Sequence, residues 1–161
     1  MGHPINILQT LKLTAVLALA LSMGACANSL GASAIPAAAT PGSPQDFVVN
    51  VGDRVFFTND QTDLNSQAIA TLERQAQWLR SYPRYRFTIE GHADERGTRE
   101  YNIALGARRA QNVRDFLVSR GIEASRIWTI SYGKERPVAV CNDESCWSQN
   151  RRAVSVLDAS S

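Results

Sequence analysis

Glu90-Gly91-His92-Ala93-Asp94-Glu95-Arg96-Gly97-Thr98-Arg99-Glu100-Tyr101-Asn102 leaves an apolar strand, crosses a glycine-punctuated loop and enters a helix that continues through Leu105 and Arg108-Arg109. A helix starting at Thr98 or Arg99 places Asn102, Leu105 and Arg109 three and four residues apart, on one face of its first turns. Asp94 stays in the loop before it. A loop carboxylate opposite a helix-borne guanidinium can hold a small zwitterion, the carboxylate taking an ammonium group and the Arg fork a carboxylate. The same two residues can also form a purely structural salt bridge, and their spacing leaves both readings open.

Strand and helix patterns alternate on either side of this stretch. Arg54 to Phe57 reads as a short strand, and Asn65 or Ser66 can cap a helix whose Ile69, Leu72, Ala76 and Leu79 keep the spacing of one buried face, ended by Pro83. Arg86 to Glu90 alternates as a strand with Phe87 and Ile89 inward. The helix after Thr98 runs to about Arg120, with Ile103, Gly106, Ala110, Val113 and Leu117 buried and Gly121 placed to close it. Ile127 to Ser131 and Ala153 to Leu157 supply further strands. The pattern predicts a two-layer α/β (α+β) sandwich with helices on one face of a mixed sheet, over roughly 110 residues, enough for one core.

The chain of 161 residues, 20% charged and 44% hydrophobic, fits one such domain with something attached. Its net charge of +2 is small, and no basic stripe interleaved with aromatics occurs, so nucleic acid is not expected as a partner. Residues 1–25 read as an export signal: Lys12, the apolar run Leu13 to Leu21, then Gly24 and Ala25 before Cys26. The run is short of the ~20 residues a membrane span needs. Cys26 resembles the lipobox cysteine of bacterial lipoproteins; ordinary cleavage at the small residues around it is the alternative. Residues 26–46 are rich in Ala, Ser, Gly and Pro, cannot form a core, and read as a tether ahead of a domain at 47–161.

Cys141 and Cys146 sit in a long loop expected between Tyr132 and Asn150. Zinc fails there on ligand count, since a closed site needs four ligands and the exported chain keeps one histidine, His92. An oxidising compartment and even parity after lipidation of Cys26 favour a Cys141–Cys146 disulfide, which would hold the loop that delivers Arg151. No nucleophile elbow, zinc-protease helix or phosphate loop is present, so no enzyme and no cofactor are expected, and His92 reads as a hydrogen-bonded structural residue.

Gly91 to Thr98, Glu100-Tyr101-Asn102, Leu105-Gly106, Arg108-Arg109-Ala110, Ser131 to Glu135 and Asn150 to Val154 closely resemble the OmpA C-terminal-like family, in particular its peptidoglycan-associated lipoproteins, over about Val51 to Leu157. The resemblance implies a βαβαββ-type domain. It implies that Asp94 and Arg109 grip the diaminopimelate side chain of peptidoglycan stem peptides, with Phe57, Asn102, Leu105 and Arg151 shaping the pocket. It further implies lipidation at Cys26, anchoring at the periplasmic face of the outer membrane, and a Tol-Pal role in envelope integrity and in constriction of the outer membrane at cell division. A module chiefly binding the periplasmic protein TolB is the alternative within that resemblance. One departure stands near the pocket: Phe57-Thr58-Asn59-Asp60 occurs where relatives usually read Phe-Asp-Phe-Asp, which makes one wall more neutral.

Overall fold

The structure is a computed structural model that describes residues 39–158. Cys26 and the signal and most of the tether assigned above lie outside the described residues. Four strands form one mixed sheet in the order β1-β4-β2-β3, with β1 at Arg54–Phe56, β2 at Phe87–His92, β3 at Ile127–Gly133 and β4 at Arg152–Leu157. β4 is antiparallel to both β1 and β2, and β2 runs parallel to β3. Helices α1, Ser66–Ser81, and α2, Arg99–Ser119, pack on one face, and a short helix α3, Glu144–Asn150, precedes β4.

Local chemistry explains these boundaries. The Asn65 side chain accepts from the Ala68 N–H at the start of α1, and the Thr98 side chain accepts from the Tyr101 N–H at the start of α2, so each satisfies an orphan donor of its first turn. Gly121 closes α2 at φ +86°, a left-handed conformation that costs a residue without Cβ little. There the Gly121 N–H donates to Val118 and the Ile122 N–H to Leu117, the paired bonds of a Schellman cap.

Phe87, Ile89, Leu72, Leu79, Ala110, Val113 and Leu117 fill the core between sheet and helices. Ile69 departs from expectation, being 38% exposed, while Ala68, Gln75 and Trp78 are buried. The buried face of α1 is rotated because Gln75 has partners inside: it donates to the Gly52 carbonyl at 2.7 Å and accepts from Ser155 Oγ at 2.9 Å. Ile103 is half-buried.

Two further differences concern the segments around the core. The last residues assigned to the tether are part of the folded unit: Asp46 accepts from Trp78 Nε1 and from the Gly42 N–H, each at 2.8 Å, and the Gly42 carbonyl accepts from Tyr85 Oη. Phe47 then packs on Trp78 with ring centroids 4.9 Å apart. The expected long loop contains α3, whose start is capped by Asp143 accepting from the Ser145 N–H. Cys146 lies on this helix and is bridged to Cys141, with Cα atoms 5.7 Å apart.

Among the described residues no helix is long and apolar enough to cross a membrane.

Candidate functional site

The parallel β2–α2–β3 unit fixes the site. Gly91 and Gly106 let α2 press onto β2, since a Cβ on Gly91 would lie 1.8 Å from the Gly106 carbonyl oxygen. This close approach sets Arg109, three residues further along α2, under the end of β2. Arg109 is 0% exposed, and its fork donates to the carbonyls of Gln61 (2.9 Å), His92 (2.8 Å) and Thr58 (3.2 Å). The Phe57 ring lies beneath it at 5.0 Å. Burial, and then the repulsion of Arg151, lowers the Arg109 guanidinium to about 10, so it remains charged at neutral pH.

The purely structural Asp94–Arg109 salt bridge, the alternative to a ligand clamp, is not formed. Asp94, 6% exposed, is instead held by two other guanidiniums: Arg96 Nη2 at 2.6 Å and Arg151 Nη1 at 3.3 Å. Burial pushes the Asp94 carboxyl up, but these donors, led by Arg96, outweigh it and hold the group below the usual carboxylate range. Arg109 forms no ion pair among the described residues. A buried cation held by backbone carbonyls and an aromatic face, with no acid paired to it among the described residues, retains its attraction for a carboxylate.

The remaining expected site residues occupy distinct places. Arg151 is 4% exposed at the end of α3; its Nε donates to the Phe57 carbonyl at 3.0 Å, and its Nη atoms bind Glu144 as well as Asp94. Phe57 returns the contact, its N–H donating to the Arg151 carbonyl at 2.9 Å. Asn102 is buried and donates to the Arg96 carbonyl at 2.7 Å, tying the loop to the first turn of α2. Leu105 is buried one turn further on. An open concavity of about 340 Å3 lies over this cluster, lined by Asn59, Asp60, Asp94, Arg96, Gly97 and Tyr101. Asp94 is therefore the one expected site residue on its surface, while Phe57, Asn102, Leu105, Arg109 and Arg151 stand behind the wall.

Several participants were not anticipated. Arg96 bridges Asp94 to Asn59 Oδ1 (2.6 Å) and lies over the Trp147 ring at 4.1 Å, so Asn59 acts as a hydrogen-bond acceptor. Trp147 donates to Glu95 at 3.0 Å. Tyr101 Oη donates to Asp60, a non-glycine residue at φ +57°. The position of Arg96 two residues after Asp94 was a readable signal; Trp147 is brought in only by the fold of α3.

His92 also departs from expectation. It is buried, stacked on Tyr132 at 5.7 Å, and neither ring nitrogen has a hydrogen-bond partner among the described residues. Burial first, then Arg152, Arg136 and Arg54, lowers its imidazole to about 4, so its 3.5 Å approach to Glu90 is not an ion pair at neutral pH. Among the described residues no group of three His, Cys, Asp or Glu side chains is placed to hold a metal ion.

A profile of the OmpA family matches residues 56–153, from the end of β1 into β4. The chain belongs to the OmpA family. The peptidoglycan-associated lipoprotein of Rhizobium meliloti (strain 1021) is 72% identical over 120 residues, 74% of this chain and 68% of the relative. That of Agrobacterium fabrum is 64% identical over 147 residues, covering 86% and 83%. The crystal structure of the peptidoglycan-associated lipoprotein from Burkholderia pseudomallei superposes with a TM-score of 0.68 at 40% identity, covering 72% of this chain and all of that one (100%). This OmpA-family chain is thus one of the peptidoglycan-associated lipoproteins, a non-enzymatic group of lipid-anchored envelope proteins.

Proposed function

We propose that the chain is an outer-membrane lipoprotein, lipidated at Cys26 on the periplasmic side, whose domain binds peptidoglycan non-covalently through the diaminopimelate of stem peptides. The observation that carries the reading is Asp94: an ionised, nearly buried carboxylate on the wall of an open concavity, with Arg109 lying behind that wall unpaired by any acid among the described residues. The ammonium group of diaminopimelate matches Asp94. Its carboxylate matches the charge of Arg109, which it reaches when the Thr58-to-Gln61 segment capping the fork shifts. Membership of the Tol-Pal system, with TolB as periplasmic partner and a part in cell division, is supported by the family relationship.

Pull-down on isolated sacculi tests the reading. Asp94→Ala leaves Arg151 and Arg96 without their shared acid and removes the ammonium seat, so binding falls by roughly 2 to 5 kcal/mol while circular dichroism stays native. Lysine-type fragments, which lack the second carboxylate, bind much more weakly than diaminopimelate fragments. A folded Asp94→Ala protein that retains normal binding to sacculi refutes the assignment.

A further inference from the structure

We propose that Arg96 is a built-in competitor for the ammonium seat: its guanidinium occupies Asp94 in the free protein, and a ligand ammonium binds only by displacing it. The inference rests on the assignment of Asp94 above and concerns what stands in its way. Both oxygens of Asp94 are engaged. Oδ1 accepts from the Arg96 N–H and from Arg96 Nε, each at 3.2 Å, and Oδ2 accepts from Arg96 Nη2 at 2.6 Å and Arg151 Nη1 at 3.3 Å. A carboxylate offers about four acceptor positions, so an incoming ammonium finds none vacant.

Only one of the occupants can leave cheaply. Arg151 has a side chain 5% exposed and fixed by the Phe57 carbonyl and Glu144, so its departure strands a buried cation. The Arg96 side chain is 38% exposed and lines the concavity, and on leaving Asp94 its charge can return to water. Its backbone is held separately, by Asn102 Nδ2 donating to the Arg96 carbonyl, so the loop stays in place when the side chain swings.

Two contacts hold Arg96 in the competing position without touching Asp94. Asn59 Oδ1 accepts from Nη2 at 2.6 Å, and the Trp147 ring lies 4.1 Å from Cζ. A partly exposed ion pair with one added hydrogen bond and one cation–π contact favours the closed arrangement modestly. The apparent affinity is reduced by the fraction of molecules in the open arrangement, about 3- to 10-fold for a closed-to-open ratio of about 2 to 9.

Calorimetry on the full chain, with the tripeptide L-Ala-γ-D-Glu-diaminopimelate and its lysine counterpart, tests this. Arg96→Gln is expected to bind both peptides more tightly by the same factor, about 3- to 10-fold, because the seat is vacated whichever ammonium arrives. Asn59→Ala and Trp147→Ala, which only loosen Arg96, shift affinity in the same direction by less. Arg96→Gln binding that is unchanged or weaker, while wild type binds and Asp94→Ala does not, overturns the inference and leaves the wall-binding assignment standing. Failure of wild type to bind either peptide, or normal binding by Asp94→Ala, removes that assignment and the inference with it.

Discussion

Lowering the pH from 7.5 to 4.5 perturbs one group ahead of the others, His92. Its imidazole ionises near 6.5 in an unfolded chain and is lowered to about 4 by burial and by the neighbouring Arg152, Arg136 and Arg54. Between those values the unfolded chain binds a proton that the folded chain refuses, so stability rises with pH there. The contribution is fully present above about 6.5 and is lost as pH falls toward about 4. The gap of about 2.5 between the two values, at about 1.36 kcal/mol per pH unit, gives a ceiling of about 3 kcal/mol. Glu90, 3.5 Å from Nε2, is the carboxylate facing the ring. Asp94 and Glu144 are held below the ordinary carboxylate range, so their losses begin lower on the pH scale. Urea unfolding followed by circular dichroism at several pH values should therefore show the wild type losing about 2 to 3 kcal/mol between pH 7.5 and 4.5. His92→Phe, whose ring keeps the Tyr132 stack without a titrating group, should flatten the curve between pH 6.5 and 5. A wild type with equal stability at pH 7.5 and 5, or a His92→Phe protein with the same loss, refutes the reasoning.

Gly91→Ala puts a methyl group 1.8 Å from the Gly106 carbonyl, a backbone atom that cannot swing aside, and should cost about 3 kcal/mol or more; a thermal midpoint within a degree or two of wild type contradicts the close packing. Replacing Cys141 and Cys146 together by Ser opens a ring with a sequence separation of 5, too small to restrain much of the unfolded chain, and should lower stability by about 2 kcal/mol or less in denaturant titration. A loss far beyond that would mean the bridge holds more than its own loop.

Periodicity and punctuation in the sequence determined the elements. Apolar spacing marked α2, Thr98 and Gly121 marked its ends, and alternation placed Phe87 and Ile89 inward on β2, because these depend on interactions within a few residues. The same local logic placed Asn102, Leu105 and Arg109 on one buried face of α2. It failed where a partner lies far away in sequence. Gln75 is interior because Gly52 and Ser155 meet it, and α1 turns Ile69 outward as a result. Thr58, Gln61 and His92 occupy the Arg109 fork with backbone carbonyls, which no side-chain pattern reveals. Asp94 and Arg109 were legible as complementary charges, but complementary charge does not choose partners. Tertiary structure gave Asp94 to Arg96 and Arg151 and buried Arg109 behind the wall, because the Gly91–Gly106 approach and α3 fix which guanidinium lies within 4 Å of which carboxylate.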